Sequence, residues 1–249
     1  MNLEAYWRRI GYDGPRAPTL EALRALHRAH LLAVPFENLD IHLQRHIVLD
    51  EDRLFDKIVV QGRGGFCYEQ NGLFAAVLRQ MGYDVTLLEA RVNARDWDSG
   101  TPFDHLILCV QLTERWLADV GFGESFMEPL RLDFSGPQPQ ANGVFRVVHD
   151  EDYGAYDRQT SIGDWHNEYR FRLEPRRLAD FTVGCEYHQS SPHSHFTQQR
   201  VCSLATPQGR LTLSDHRFIV TANGVRQEMD IHDEAEFKAL LCQHFHIVL

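Results

Sequence analysis

Residues 61–73 read Gln61-Gly62-Arg63-Gly64-Gly65-Phe66-Cys67-Tyr68-Glu69-Gln70-Asn71-Gly72-Leu73. A glycine-rich turn here leads into a cysteine, and apolar residues then recur at helical spacing until Gly82, which predicts a helix that begins at Cys67. A thiol at a helix N-terminus lies at the positive end of the macrodipole, where free backbone N–H groups favour the thiolate. The glycines allow a sharp turn that leaves the sulfur approachable. Cys67 is therefore either a nucleophile or, like most free cysteines, a buried structural residue.

The composition is that of an ordinary globular protein. Of the 249 residues, 43% are hydrophobic and 24% are charged, which suits one large domain or two to three small ones. A net charge of −10 without a basic run argues against general nucleic-acid binding. The five cysteines are scattered and lack a Cys-x-x-Cys motif, so we expect no disulfide framework. Because we find neither a signal peptide nor a long apolar run, we expect a reduced, cytoplasmic protein without a membrane partner.

Hydrophobic periodicity changes along the chain. Helical spacing predicts about four helices before Gly82, with Thr19 and Asp50 as N-caps. The period then becomes two, which predicts an antiparallel sheet that curls into a barrel. The predicted strands are 85–92, 103–112, 115–120, 144–148, 155–160 and 168–173, with a loop at 135–143 and a hairpin connection at Asp150-Glu151-Asp152. Ser190-Ser191-Pro192 is the candidate domain boundary, and strands at 201–204, 210–213 and 218–221 and a helix over about 233–245 follow it.

A thiol nucleophile needs a base, usually a histidine, and a group that orients the base. His105 is a candidate because it opens an apolar strand, where a polar ring can face a cleft. Asp119 lies in an apolar strand, and a buried aspartate is costly unless it is paired. A three-residue loop centred on Glu114 would put both side chains on one face, diagonally, whereas a two-residue loop would put them on opposite faces. A bulge or a bend would then have to complete the contact.

Several blocks of the sequence resemble the arylamine N-acetyltransferase family. The resemblance covers nearly the whole chain and implies an α+β fold with a cysteine-protease-like core. The implied parts are an N-terminal helical bundle (1–84) that carries the nucleophile, a central antiparallel β-barrel (85–190) that carries the histidine and the aspartate, and a C-terminal α/β lid (191–249). The matching blocks are Pro-Phe-Glu-Asn-Leu-Asp (35–40), Arg-Gly-Gly-Phe-Cys-Tyr-Glu-Gln-Asn-Gly-Leu-Phe (63–74), the His105 strand, Ala-Asp-Val-Gly-Phe-Gly (118–123), Ser-Pro-His-Ser-His-Phe (191–196) and Gly-Arg-Leu-Thr-Leu (209–213).

The resemblance also implies an activity. It carries a catalytic triad over onto Cys67, His105 and Asp119. It implies acetyl-CoA as the acetyl donor and co-substrate, with small aromatic amines or hydrazines as acceptors. The implied reaction is ping-pong, runs through an acetyl-cysteine and serves xenobiotic metabolism. We expect no tightly bound cofactor, no metal, and a monomer or a homodimer.

Further residues take a role only from this resemblance. Gly121, Phe122 and Gly123 are expected to run beside the bound CoA, and Phe36 and Phe122 to form walls of the acceptor pocket. The glycines alone are also explained by a turn that needs positive φ. Glu124 departs from the family pattern, in which a small residue or glycine is expected at this position. A carboxylate beside a polyanionic donor is unfavourable.

Alternatives remain open at this point. A transglutaminase or papain-like cysteine hydrolase uses a similar Cys–His–Asp set but lacks the quoted blocks. An amide synthase of the same family, acting in natural-product assembly, is a closer rival. A zinc module is the third, although its spacing fits no finger pattern; its ligands would be Cys185, His188, His193 and His195. Arg63 and Glu37 either form a pair that braces the glycine loop or are two solvated charges.

Overall fold

The computed structural model describes residues 1–149 and 153–249, so the predicted connection Asp150–Asp152 lies outside the described residues. The N-terminal third is helical, as its periodicity predicts. Thr19 and Asp50 are the N-caps of two helices, because the side chain of each accepts a hydrogen bond from the backbone N–H three residues later. The helices are α1 (Leu3–Arg9), α2 (Leu20–Ala33), α3 (Leu39–His42), α4 (Glu51–Phe55), which continues as a π-helical turn (Asp56–Val60), and α5 (Cys67–Gln80).

Helix α5 begins at Cys67, as predicted, and is buried over its first twelve residues, from Cys67 to Leu78. Its first turn is capped from within, since the Phe66 backbone N–H donates to Glu69 Oε2 at 3.2 Å. The other oxygen of that carboxylate accepts from Lys57 Nζ at 2.7 Å. The helix start is therefore held by charge pairing inside the protein rather than by solvent.

The middle of the chain forms one eight-stranded antiparallel sheet that curls into a nearly closed barrel. Its strand order is β5-β4-β3-β2-β9-β8-β7-β6, and β5 also contacts β7. The predicted loop at 135–143 was wrong in part, since it contains strand β6; Pro139 is tolerated there because β6 is an edge strand. The strands are β2 (Asp84–Val92), β3 (His105–Gln111), β4 (Arg115–Ala118), β5 (Leu130–Arg131), β6 (Gln138–Gln140), β7 (Gly143–His149), β8 (Tyr153–Gln159) and β9 (Trp165–Arg172).

The β3–β4 hairpin decides how His105 and Asp119 meet. Gln111 pairs with Arg115, so the loop has three residues and is centred on Thr113 rather than on Glu114. Because the loop has an odd number of residues, the side chains of His105 and Asp119 lie on the same face of the sheet, as diagonal rather than directly opposite neighbours. The pairing contains no register shift, and β4 ends one residue before Asp119. The contact is thus made without a bulge.

The C-terminal part is a second antiparallel sheet covered by α8. Helix α8 packs its apolar face on the sheet through Phe237, Leu240, Leu241 and Phe245. The elements here are a 3₁₀ turn (Leu178–Phe181), α6 (Thr182–Ser190), α7 (His195–Gln198), β10 (Val201–Thr206), β11 (Gly209–Ser214), β12 (Arg217–Ala222), β13 (Val225–Asp230) and α8 (Glu234–Phe245). Strand β13 was missed because all six of its residues are exposed, which leaves no buried face to read in the sequence.

A short strand from the N-terminal third completes this second sheet. Strand β1 (Phe36–Glu37) pairs with β10 and gives the order β1-β10-β11-β12-β13. The fold class α+β is confirmed, while the division at 1–84, 85–190 and 191–249 stays a prediction. Among the described residues, no helix has the length and apolar character that crossing a membrane requires.

Candidate active site

His105 and Asp119 form a buried pair at the end of β3. The distance from His105 Nε2 to Asp119 Oδ2 is 2.8 Å, and the two residues are 2% and 0% exposed. Burial by itself raises the pKa of Asp119, but the charge and hydrogen bond of His105, with hydrogen bonds from Asn71 and Gly121, hold it below its usual value. An ionised carboxylate only accepts. His105 therefore donates through Nε2–H, and its Nδ1 is the nitrogen left for a proton from another group.

Cys67 lies at the start of α5 and lines the same cavity as His105. Burial raises the pKa of the Cys67 thiol, and the charges of Asp104 and Asp119 raise it further, against a backbone hydrogen bond from Leu106 that lowers it. The helix start alone is thus insufficient to favour the thiolate. A thiolate here needs a neighbouring group that takes the proton and keeps the positive charge close.

Asn71, which the sequence interpretation missed, joins the His105–Asp119 pair to α5. Asn71 Nδ2 donates to Asp119 Oδ1 at 2.8 Å and to the Leu106 carbonyl at 2.7 Å, and its Oδ1 accepts from Val120 N at 2.9 Å. Asn71 lies one helical turn after Cys67, and a polar residue at that spacing in an apolar helix was the available signal. Gly121 packs on Cys67 so closely that a Cβ would lie 2.7 Å from the Cys67 Cα.

His27 supports the aspartate from behind and was also missed. Its Nε2 accepts from the Asp119 backbone N–H at 3.1 Å, so its Nδ1–H donates to the Met127 carbonyl at 3.0 Å. Burial lowers the pKa of His27 to about 4. The ring is therefore neutral, as this pair of hydrogen bonds requires. The only signal in the sequence was a histidine on the apolar face of α2.

The cavity around Cys67, here called the Cys67 cavity, has a volume of about 550 Å³. Five of the predicted site residues line it: Phe36, Cys67, His105, Gly121 and Phe122. The Phe122 ring packs edge-on against His105 with centroids 5.3 Å apart. The rest of its lining is Val92, Asn93, Thr101, Asp104, Tyr187, His188, His193, Ser194, His195 and Phe196.

Gly123 does not line the Cys67 cavity. It has φ of +83°, which agrees with the turn explanation of this glycine. It borders a narrow gap together with Phe36 and Arg210. Since Phe36 also lines the Cys67 cavity and Arg210 also lines a second, larger cavity, this gap lies between the two.

The second cavity, here called the arginine cavity, has a volume of about 650 Å³ and was not foreseen from the sequence. Among the described residues that line it, the charged side chains are Arg28, Arg158, Arg210, Arg226 and Glu124. Arg158 Nη2 donates to Glu124 Oε1 at 2.8 Å, so the carboxylate that looked unfavourable is paired. Arg210 instead donates to Ser203 Oγ at 2.9 Å, and burial lowers its pKa. Its charge lacks a carboxylate within 4 Å among the described residues.

The glycine loop before Cys67 is braced by a buried ion pair. Arg63 Nη2 lies 2.8 Å from Glu37 Oε1 and 3.0 Å from Asp40 Oδ1, and Arg63 and Glu37 are 4% and 0% exposed. Of the two alternatives, the brace is therefore the one that the structure shows. Gly64 is required by close approach, because a Cβ there would lie 1.9 Å from the Pro35 carbonyl oxygen.

The four residues of the zinc alternative, Cys185, His188, His193 and His195, do not form a metal centre. Among the residues that the structure describes, no group of three or more His, Cys, Asp or Glu is placed to bind a metal ion. His188 is engaged elsewhere: its Nε2 lies 2.9 Å from Asp104 Oδ1 and its Nδ1 lies 3.1 Å from Ser194 Oγ. Two imidazoles that line the Cys67 cavity, those of His105 and His188, are thus each paired with a carboxylate. Of these two imidazoles, His105 is the one with a ring nitrogen free of a hydrogen bond among the described residues.

Comparisons with known proteins agree with this geometry. A family model described as N-acetyltransferase matches residues 19–249. The chain is also 34% identical to the arylamine N-acetyltransferase of Escherichia coli (strain K12), over 98% of this chain and 88% of that protein. The chain belongs to the arylamine N-acetyltransferase family. It is accordingly an enzyme, an acetyltransferase, as the resemblance implied.

Two further relatives bear on the acetyl donor and on the amide-synthase alternative. The structure of Mycobacterium marinum arylamine N-acetyltransferase in complex with CoA matches this one with a TM-score of 0.90 at 32% identity, covering 99% of this chain and 93% of that one. Proansamycin X synthase of Amycolatopsis mediterranei (strain S699) is 32% identical, over 97% of this chain and 95% of that protein. The arylamine N-acetyltransferase fold therefore spans essentially the whole chain.

Proposed function

We propose that this arylamine N-acetyltransferase moves an acetyl group from acetyl-CoA to the nitrogen of arylamines and arylhydrazines through an acetyl-cysteine at Cys67. The observation that carries the proposal is the imidazole of His105, which is held through Nε2 by a buried carboxylate and lines the same cavity as the thiol. Family membership supplies the acetyl transfer, and the CoA complex of the M. marinum relative supports the choice of donor.

The first half-reaction acetylates Cys67. His105 Nδ1 takes the thiol proton, and Asp119 stabilises the imidazolium that forms. The ion pair is needed because burial raises the pKa of the Cys67 thiol. The thiolate attacks the thioester carbonyl, the bond to the CoA sulfur breaks, and the imidazolium returns its proton to the departing thiolate. The backbone N–H of Cys67 lacks an intrahelical partner and is the proposed donor to the oxyanion.

The second half-reaction releases the product. An arylamine is largely neutral at pH 7, so its nitrogen lone pair attacks the acetyl-cysteine directly. His105 accepts the amine proton, the C–S bond breaks, and the proton returns to the Cys67 sulfur. The proposed aromatic walls for the acceptor are Phe36 and Phe122, both of which line the cavity. Because both half-reactions use one thiol, the kinetics should be ping-pong.

The arginine cavity is the proposed place for the phosphate groups of the donor. Arg210 brings a half-buried charge without a carboxylate partner among the described residues, and an anion that pairs with it would relieve an unfavourable burial. The gap beside Gly123 is the proposed path from this cavity to Cys67, and residues 121–123 are proposed to run beside the donor along it.

Mass spectrometry tests the proposal most directly. Mixing the protein with acetyl-CoA and no acceptor should add one acetyl group to the peptide that contains Cys67, and adding an arylamine or arylhydrazine should remove it. Cys67→Ala should abolish the adduct, whereas the matched change at the exposed Cys242, Cys242→Ala, should leave it. An absence of acetyl groups on every cysteine would contradict the proposal.

The amide-synthase alternative is favoured by one observation, the similarity to proansamycin X synthase. An enzyme of that kind would take a long acyl chain onto Cys67 and close an amide within it, and it would fail the acetyl-CoA experiment. A cysteine hydrolase would instead release acetate without any amine. The role in xenobiotic metabolism, the cytoplasmic location and the monomer or homodimer stay predictions.

A further inference from the structure

The lining of the Cys67 cavity has an unusual charge for a site beside a polyanionic donor. Its described lining residues include one carboxylate, Asp104, and neither an arginine nor a lysine. Four arginines line the arginine cavity instead. A group that enters the Cys67 cavity therefore meets the field of Asp104 without a fixed positive charge in the wall.

Asp104 is held in this wall by hydrogen bonds to both of its oxygens. Oδ2 accepts from the Val92 backbone N–H at 2.9 Å, and Oδ1 lies 2.9 Å from His188 Nε2. Because a carboxylate only accepts, His188 carries a hydrogen on Nε2. Its Nδ1 then accepts from the Ser194 hydroxyl at 3.1 Å when the ring is neutral. The position of the carboxylate is thus determined by three different parts of the chain.

The backbone of Asp104 is tied to the nucleophile. Tyr68, the residue after Cys67, donates its hydroxyl to the carbonyls of Phe103 at 2.7 Å and Asp104 at 2.9 Å. The charge of Asp104 is also felt at the sulfur, since it adds to burial in raising the pKa of the Cys67 thiol. Asp104 is therefore close enough to act on any molecule that reaches Cys67.

Distance and dielectric make this effect large for a charged acceptor. A sphere with the volume of this cavity is roughly 10 Å across, which is about one Debye length at 0.1 M ionic strength. A second carboxylate inside the cavity would lie within about one Debye length of Asp104 and would be repelled by its charge. The neutral amine of an acceptor pays no such penalty.

We propose that Asp104 makes the Cys67 cavity select neutral aromatic amines and hydrazides over aromatic amines that carry a ring carboxylate. The proposal rests on the proposed function, because it assumes that the acceptor enters this cavity. Asp104 is then a specificity-determining residue, and His188 and Ser194 are positioning residues that keep its charge in the wall. The predicted acceptor class contains aminobenzamides and anilines, and aminobenzoates are excluded from it.

A matched pair of acceptors tests this directly. 4-Aminobenzamide and 4-aminobenzoate have nearly the same shape and differ in charge. At pH 8, where imidazoles are ordinarily neutral, the enzyme should favour the amide in kcat/KM. Asp104→Asn keeps an oxygen for the Val92 N–H and offers an amide N–H to His188 Nε2, which can accept it once the ring carries its hydrogen on Nδ1 and donates to Ser194 Oγ. It should shift the ratio of the two kcat/KM values by roughly tenfold toward the benzoate, mainly through the KM of the benzoate.

The controls separate charge from structure. Asp13→Asn removes an exposed carboxylate outside the cavity and should leave the ratio unchanged. If Asp104→Asn alters both acceptors equally, Asp104 has only a structural role and the proposal is wrong. If neither kcat/KM value changes, Asp104 does not act on the acceptor and the proposal is also wrong.

Calorimetry without any donor keeps this test distinct from that of the proposed function. 4-Acetamidobenzamide should bind more tightly than 4-acetamidobenzoate, and Asp104→Asn should reduce the difference. This outcome can hold even if Cys67 is never acetylated, in which case the proposed function fails and the selectivity remains. If neither ligand binds, the cavity does not take aromatic amides and the selectivity proposal is overturned.

Discussion

The Cys67 cavity and the arginine cavity lie on either side of one short loop and differ in charge. The former is walled by aromatic and imidazole rings with a single carboxylate, and the latter by four arginines and one paired glutamate. A chain with a net charge of −10 thus gathers four arginines around one cavity. The contrast suits a reaction that joins an anionic donor to an uncharged acceptor, and it shows how net charge can conceal a local anion site.

The loop between the cavities belongs to both. Residues 121–123 follow the buried Asp119, and Gly121 touches Cys67 while Gly123 borders the gap toward Arg210. Changes that act on one cavity alone should therefore separate chemistry from donor binding. The following variants are ordered by the size of the expected effect.

Asp119→Asn should disable the Cys67 cavity and leave the arginine cavity intact. The carboxylate accepts from His105, Asn71 and Gly121, and an amide must turn its NH₂ toward one of these donors. We expect kcat to fall on the order of 10³-fold, with the Kd for CoA unchanged. Asp133→Asn, at a partly exposed pair with Arg115, is the matched control. A kcat near that of the parent enzyme would remove Asp119 from the mechanism.

Arg210→Met should have the opposite effect, acting on the donor and sparing the chemistry. The loss of one half-buried charge should raise the KM for acetyl-CoA roughly tenfold to a hundredfold. Activity with 4-nitrophenyl acetate, a donor without phosphates, should stay unchanged. Arg217→Met removes an exposed arginine from the same sheet and serves as the control. An equal loss with both donors would show that Arg210 supports the fold rather than binding phosphate.

His27→Gln should change how stability depends on pH, because His27 joins Asp119 to Met127 in the lining of the arginine cavity. The folded pKa of about 4 lies below the ordinary value of 6.5. Between these values the unfolded state binds the proton and the folded state does not, so stability falls as pH falls through this window. Glutamine keeps both hydrogen bonds without titrating.

The parent protein should therefore lose up to about 1.4 kcal/mol more per pH unit than His27→Gln between pH 6.5 and 4. Urea unfolding at several pH values measures this slope. His216→Gln, at an exposed histidine, should show the parent slope. Identical slopes in all three proteins would mean that His27 is protonated in the folded state.

Local signals predicted much of the fold. The helix start at Cys67, the caps at Thr19 and Asp50, and the apolar face of α8 depend on residues within a few positions of one another. Strands with one buried face were predicted through their alternation. Strand β13 has no buried residue and β6 contains a proline, so neither carries the signal that reveals a strand.

The residues of the candidate site likewise divide into those that the local sequence predicts and those that only the tertiary structure reveals. Cys67, His105 and Asp119 stand in local contexts that are informative by themselves, namely a glycine turn before a helix, a strand end and a carboxylate in an apolar strand. His27 bonds to a carbonyl 100 residues away, and Asp104 meets His188 across 84 residues. Such partners leave no periodic pattern, because nothing in the neighbouring sequence has to change to accommodate them.

The sequence by itself determined most of the helices and half-buried strands, the position of Cys67 at the start of α5 and the family resemblance, since these depend on turn chemistry, periodicity and motifs. Only the tertiary structure decided that the β3–β4 loop has three residues, so that His105 reaches Asp119, and that four arginines from distant segments line one cavity. The physical reason is that propensity acts between neighbours in the chain, whereas burial, pairing of charges and cavity shape arise when distant segments pack.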